Sequence, residues 1–259
     1  AVHVASHVAM LIATPAGHYH FLKGSDPYSC GVIADPRYEI VHVTLTEPIQ
    51  WRQGFDVIDA HLKSVGEDRH SLCAIELRSP SPFPIDGFVD FNRTYCQVLQ
   101  EWDLYVEGQN PVARTNVVPL SNPPSIPTLH AFSHTIPAQG EQTIATLVIS
   151  GAGELREGVL EEKAIVRLGE TNPEAMREKA SCVMKEMEER LQGLGARWDL
   201  LTTVDVYTVH PLDGIAEEII LNRLGPARRH GLNWHHARPP VQNIEFEMDM
   251  RGVRKELNR

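Results

Sequence analysis

The sequence has little of what marks several large classes of protein. Cysteine is scarce: Cys30, Cys73, Cys96 and Cys182 are the four in 259 residues. None forms a C-x-x-C pair, which excludes a zinc ribbon or dithiol redox motif and implies free thiols in a reducing cytoplasm. Long apolar runs are missing, so neither a membrane-spanning helix nor a secretory leader is expected. Positive charge is in deficit, with Lys+Arg 24 against Asp+Glu 34 and a net of −10. No basic run alternates with aromatics, so a nucleic-acid or anionic-membrane surface has no electrostatic basis and the expected partner is a small molecule. The stretch GAGELREG at 151–158 lacks the Lys-Ser/Thr ending of a phosphate-binding loop. No serine or cysteine has a local His and Asp that would make it a nucleophile.

What is present reads as a globular chain, 42% hydrophobic and 22% charged, long enough for one large domain or two of roughly 100–150 residues. Trp51, Phe55, Ile58, Leu62 and Val65 recur at helical spacing until Gly66. A strand-like run, Leu72 to Arg78, follows, then a second amphipathic helix carrying Phe88, Phe91, Tyr95, Val98 and Trp102. The same order returns later. Thr171, Asn172 and Pro173 open a helix with the stripe Met176, Ala180, Val183, Met184, Met187, Leu191 and Leu194, then comes a strand at Thr202 to Val209 and a short helix from Leu212 to Leu224. Further strands are expected at Tyr38 to Leu45, Thr143 to Ser150 and Asn243 to Met250; in the last, Ile244, Phe246, Met248 and Met250 face one way and Glu245, Glu247 and Asp249 the other. The proline-rich PLSNPPSIP at 119–127 suits a linker. The expected architecture is α+β: one unit over residues 1–120, a second over 128–259, each a mixed sheet with helices packed on one face.

Each half carries a proline closely followed by Ala-Arg: Pro111-Val112-Ala113-Arg114, and Pro226-Ala227-Arg228. A guanidinium is a planar fork of donors that matches a carboxylate, so either arginine is a candidate anchor for a small acid, against the alternative of a surface ion pair. Glu245 lies 17 residues beyond Arg228, and the pair could hold a substrate carboxylate at one end and a water at the other.

From about Phe132 to Gly252 the sequence resembles the RidA (YjgF-type) family of enamine/imine deaminases. The resemblance rests on LVISGAGELREG at 147–158, the helix at 174–196, VDVYTV at 204–209, PAR at 226–228 and IEFE at 244–247. The first half is a more remote relative, through DPYSCG at 26–31, FNRTYCQVLQEW at 91–102 and NPVARTNV at 110–117, without a closing IEIE-type strand. The resemblance implies chorismate-mutase-like units, a homotrimer with sites between subunits, and a reaction needing no cofactor. It also implies Arg228 as the carboxylate anchor and Glu245 as the water-positioning acid/base, with Ser150 and Gly151 lining the pocket. Phe132 stands where the family has its opening tyrosine, and His230 lies two residues beyond Arg228; both count as candidate pocket residues. Arg114 would add a second anion contact. A dicarboxylic enamine of the 2-aminomuconate type would use both arginines, giving a 2-oxo acid and ammonia. This reading requires Arg228 and Glu245 to converge on one cavity.

Two other classes stand beside it. One is a non-catalytic trimer that binds a small acid, since fold alone does not fix function. The other is a metal-dependent ring-cleaving or hydrolytic enzyme using His18 and His20, because an H-x-H on a strand puts both imidazoles on one face. No third ligand stands at a compelling spacing, so no metal site is assigned; His235 and His236, among 13 histidines, are read as pocket or interface residues.

Overall fold

The computed structural model describes residues 11–140 and 144–259. Chain order begins with β1 (Leu11–Thr14), β2 (Tyr19–Leu22), β3 (Gly31–Ala34), β4 (Tyr38–Gln50), α1 (Trp51–Ser64), β5 (Leu72–Arg78), α2 (Ile85–Glu101), β6 (Ala113–Pro119) and β7 (Thr128–Pro137). It continues with β8 (Leu147–Gly153), α3 (Pro173–Gly193), β9 (Thr203–Tyr207), β10 (Asn233–His235), β11 (Ala237–Arg238), β12 (Glu247–Gly252) and β13 (Lys255–Asn258). The strand expected from Thr143 is thus β8; Thr143 itself, like residues 1–10 of the expected first unit, lies outside the described residues.

The strands form two mixed sheets. One runs β11-β6-β5-β7-β4-β13 and the other β1-β2-β3-β8-β12-β9-β10. In the first sheet β7 is antiparallel to both β4 and β5, and β6 is parallel to β5. In the second, β12 is antiparallel to both β8 and β9, and β10 is parallel to β9. The four-strand cores β4-β7-β5-β6 and β8-β12-β9-β10 therefore share order and sense. Strand β7 fills in the first sheet the place that β12 fills in the second, so the closing strand that the sequence of the first half was read as lacking is supplied by Thr128–Pro137. That segment lies beyond the expected boundary at 119–127, and conversely β1, β2 and β3, expected in the first unit, hydrogen-bond in the second sheet through β3 and β8. The carboxyl-terminal β13 crosses back to pair with β4.

Helices cover the outer face of each sheet because their apolar stripes demand it. Helix α1 buries Trp51, Phe55, Ile58 and Leu62, and α2 buries Tyr95, Val98 and Leu99, on the first sheet, while Phe88 of α2 packs in a smaller cluster with Ile165, Val241 and Ile244. Each such side chain contributes about 1.5–3 kcal/mol by leaving water. Helix α3 starts as its Thr-Asn-Pro opening predicts, the Asn172 Oδ1 accepting the Ala175 N–H at 2.9 Å, and buries Met176, Ala180, Val183, Met184, Met187 and Leu191 against the second sheet. The helix expected over Leu212 to Leu224 is instead a series of short π- and 3-10-type turns, Ala216–Ile220, Leu221–Arg223 and Gly225–His230. They still bury Ile215, Ile219, Ile220 and Leu224 in the same core.

The inner faces of the two sheets meet each other. Part of that layer is apolar, with Tyr19, Phe21, Val32, Ile40, Cys73 and Ala113 from both sheets. The rest is polar and buried. The His42 ring holds Glu76 Oε2 and Glu256 Oε2, each at 2.5 Å, tying β4, β5 and β13 together. Burial opposes a charge on His42, but the two carboxylates outweigh it and raise the imidazole to about 9. Among the described residues no helix is long and apolar enough to cross a membrane.

Candidate active site

The inter-sheet layer opens to solvent where the loop after β2 folds over the start of β6. Ser25 and Tyr28 close a tight turn, the Asn110 Nδ2 donates to the Pro27 carbonyl at 2.9 Å, and the Ser29 Oγ donates to the Pro111 carbonyl at 2.9 Å. Tyr28 is thereby laid over Arg114 in β6. The guanidinium sits 4.8 Å from the Tyr28 ring centroid and 4.7 Å from that of Tyr95, with Phe88 at 5.6 Å. Such stacking holds a planar cation rigidly, which an ammonium would not match.

Arg114 is almost wholly buried, and the protein satisfies only part of it. Its Nη2 donates to Asn92 Oδ1 at 2.7 Å, while Nε and Nη1 have no partner. Unpaired buried donors on a fixed cation are costly unless something else occupies them. Asn92 explains itself in the same way: it is a polar residue on the buried face of α2, turned toward the guanidinium.

The opposing wall comes from the second sheet. At Ser150 and Gly151 the β8–β12 ladder slips, so these two residues face Asp249 alone. A bulge of this kind re-aims what stands beside it. The Ser150 Oγ accepts the Arg114 backbone N–H at 3.1 Å and donates to the Ser29 carbonyl at 2.6 Å; the Gly151 N–H donates to Thr115 Oγ1 at 3.1 Å. Both of the serine's roles are used in pinning the sheets together. Gly151 leaves the space a side chain would take, since a Cβ there would lie 3.3 Å from Glu247 Oε1 and 3.1 Å from Thr115 Oγ1.

Glu247, the first residue of β12, fills that space. It is buried, and its Oε2 has no partner. Burial pushes its carboxyl up to about 8, against the pull of Arg114 and Arg190 and with the help of Glu154. Tyr28 feels the same neighbours: burial raises its phenol, Arg114 and Arg190 oppose, and Glu247 adds to the rise. A carboxyl that titrates near neutrality beside a fixed cation can take up and give back a proton, which is the requirement for general acid–base work.

The start of β12 is held by a buried ion pair. Glu154 accepts the N–H groups of Glu245 at 2.8 Å and Phe246 at 3.1 Å, and Lys179 from α3 reaches Glu154 at 3.2 Å, both side chains fully buried. This clamp sets where the strand begins and so which glutamate of IEFE points inward.

Two cavities meet at Tyr28. One, of about 310 Å³, lies against Phe88, Asn92, Arg93 and Cys96; the other, of about 380 Å³, lies against Lys23, Gly151, Glu186 and Arg190. Ser25, Tyr28, Leu155 and Gly158 belong to both.

The candidates from sequence separate in the structure. Arg114, Ser150 and Gly151 come together here. Of these three Gly151 lines the second cavity, while Arg228 and Glu245 lie apart from the bulge with different partners. Arg228 is exposed on the turn Gly225–His230, bonded to Glu217 and to Asn222 Oδ1, and Glu245 holds His210 Nε2 at 2.8 Å. His230 is exposed at the end of that turn, and Phe132 is buried in the core under α1, edge-on to His61. His20 is bonded to Asp35 at 2.6 Å, whereas His18 lies in the turn before β2, in the left-handed region at φ 57°, stacked on Tyr38. Among the described residues, no group of three or more His, Cys, Asp or Glu is arranged to hold a metal ion. His235 is bonded to Asp205 at 3.0 Å and His236 is exposed.

Glu247, Tyr28, Asn92 and Arg190 were not singled out from sequence. Tyr28 stands inside DPYSCG, and Glu247 inside the alternating strand between Phe246 and Met248, so both had a signal; Asn92 and Arg190 had only helical position.

Fold and site together define an α+β protein of two packed mixed sheets, with a buried acid on one sheet and, on the other, a half-satisfied arginine whose charge pulls on that acid. Residues 11–257 match the family model described as 2-aminomuconate deaminase CnbZ, and the chain belongs to that family. It is 37% identical, over 95% of its length and 97% of the relative's, to a 2-amino-5-chloromuconate deaminase of Comamonas testosteroni. Among solved structures, a chorismatase matches with 11% identity and a TM-score of 0.46, covering 98% of this chain and 96% of that one. A putative endoribonuclease from Thermotoga maritima matches with 19% identity and a TM-score of 0.32, covering 42% of this chain and 80% of that one.

Proposed function

We propose that the protein is a deaminase of enamine/imine carboxylates of the 2-aminomuconate type, with Arg114 as carboxylate anchor and Glu247 as acid/base. The observation that carries this is the coexistence of two buried, under-satisfied groups joined electrostatically: a guanidinium with two unused donors, and a carboxyl raised to about 8 by burial, on which that guanidinium pulls, with one oxygen free. Family membership and the Comamonas testosteroni relative support the substrate class.

In this reading the substrate carboxylate takes the Nε and Nη1 donors of Arg114, which fixes the adjacent C–N carbon near Glu247. The enamine gains a proton at carbon and loses one from nitrogen to become the imine. Glu247 then takes a proton from water as the oxygen adds to the C=N carbon, and returns it to nitrogen. The hydroxyl proton of the resulting carbinolamine then passes by way of Glu247 to the –NH2 nitrogen as the C–N bond breaks, so that neutral ammonia leaves and the C–OH carbon becomes the carbonyl of the 2-oxo acid. Burial keeps the carboxyl protonated over part of the neutral range, so both of its states are available.

The matching order and sense of β4-β7-β5-β6 and β8-β12-β9-β10 support descent from two tandem RidA-like units. Arg114 comes from the first sheet and Glu247 from the second, so in this reading both halves of one chain contribute to the site. A homotrimer in the cytoplasm is part of the proposal; three 29.0 kDa chains would give a particle of about 87 kDa by light scattering.

The test is incubation of the purified protein with 2-aminomuconate formed in situ. Ammonia and 2-oxo acid should appear in equal amounts, and Arg114→Met should lose this activity. Saturable binding without ammonia release would overturn the reading.

A further inference from the structure

A site that stopped at Arg114 and Glu247 would hold one carboxylate and one reacting carbon. The cavity that Gly151 lines beside Glu247 also contains a second arginine of unusual setting. Arg190 of α3 has an almost buried side chain. Its Nη1 donates to the carbonyls of Ser150 at 2.9 Å and Gly151 at 3.3 Å, its Nη2 reaches Glu186 at 3.3 Å, and its buried Nε has no partner.

The two arginines grip the same bulge from different sides. Arg114 gives its backbone N–H to Ser150 Oγ, and Arg190 gives side-chain donors to the carbonyls of Ser150 and Gly151. Glu247 lies against Gly151, and both arginines pull on its carboxyl. The lobe lined by Arg190 also carries Lys23, Glu157 and Glu186, and it shares Tyr28, Ser25, Leu155 and Gly158 with the lobe next to Arg114's neighbours Phe88 and Asn92. The result is a two-lobed cleft with Tyr28 at its waist and a cation beside each lobe.

We propose that Arg190, assisted by Lys23, binds the distal carboxylate of a dicarboxylic substrate whose reacting end is held by Arg114, and so selects dicarboxylates over monocarboxylates. This rests on the deaminase reading for the identity of the reacting end, but the subsite itself does not depend on turnover. Glu186 partly neutralises Arg190 and sets the opposite sign: removing its charge strengthens the subsite.

Muconate and sorbate test this directly, since they share a six-carbon diene skeleton, lack the nitrogen, and differ by one carboxylate. Calorimetric titration should show muconate bound at least about 30-fold tighter than sorbate by the wild-type protein, the scale set by a desolvated charge pair. Arg190→Gln should remove most of that preference, and Glu186→Gln should increase it. In turnover, Arg190→Gln should lower kcat/KM for 2-aminomuconate at least about 30-fold relative to 2-aminoacrylate. Equal weakening of both ligands and both substrates would show that Arg190 only braces the 150–151 carbonyls, and would overturn the proposal. If muconate preference follows Arg190 but no ammonia is released from either substrate, the subsite stands and the deaminase reading falls.

Discussion

Replacing Glu247 by Gln separates the physical claim about burial from the claim about chemistry. In the unfolded chain this carboxyl titrates near 4.5, and in the fold burial raises it to about 8 although Arg114 and Arg190 pull the other way. Between those two values the folded state binds the proton more tightly than the unfolded one. The contribution to stability is therefore fully present below pH 4.5 and is lost as pH rises through about 8. The slope is about 1.4 kcal/mol per pH unit, and the whole loss is on the order of 5 kcal/mol. Glutamine keeps the shape and cannot ionise, so Glu247→Gln escapes the decline. Urea unfolding of both proteins at pH 5, 6, 7, 8 and 9 gives the difference directly, and groups that titrate in both proteins cancel. The variant should gain on the wild type by several kcal/mol across this range. A difference that stays flat from pH 5 to 9 would refute the argument that burial holds this carboxyl neutral.

Three further outcomes follow from the same contacts. Arg114→Lys should lower kcat/KM roughly 30-fold or more, the scale of a lost buried charge-pair partner, because an ammonium cannot reproduce the planar stack between Tyr28 and Tyr95; steady-state kinetics check this. Lys179→Met leaves Glu154 buried without its cation and should cost about 3–5 kcal/mol in urea denaturation, with activity falling too, since Glu154 holds the N–H groups that start β12. His42→Gln should be most destabilising below pH 6.5, by about 3 kcal/mol, with the deficit shrinking as pH rises through about 9, where the imidazole itself loses its charge; thermal melts at pH 6 and pH 10 show the sign.

Much of the fold could be read from local pattern because it is set locally. Trp51, Phe55, Ile58 and Leu62 are buried as their spacing predicts, Leu72–Arg78 is a strand, and Asn172 caps α3. The segment after Leu212 kept its buried residues but not its helix, since Ile215, Ile219 and Ile220 are accommodated by wider turns. Strand exchange was not legible: β13 pairs with β4 from the other end of the chain and β3 crosses to β8, and nothing in their own sequence states the partner.

The site was half legible, for reasons that lie in the two Ala-Arg motifs. Arg114 is followed by Thr115, Val117 and Val118, β-branched residues that keep it in a strand, with its guanidinium packed among Tyr28, Phe88 and Tyr95. Arg228 is followed by Arg229, His230 and Gly231, whose φ of 67° closes a short turn and leaves the guanidinium in solvent. The two glutamates of IEFE lie on the same side by alternation, so pattern alone could not choose between them. The choice is made by Glu154, which caps the backbone at Glu245 and Phe246 so that pairing with β8 and β9 begins at Glu247.

Those two glutamates give the most direct test of the whole account. Single-turnover ammonia release from 2-aminomuconate should fall about 10²–10⁴-fold in Glu247→Gln and stay within a few-fold of wild type in Glu245→Gln. A Glu245→Gln protein that has lost the reaction, beside a Glu247→Gln protein that retains it, would contradict the account.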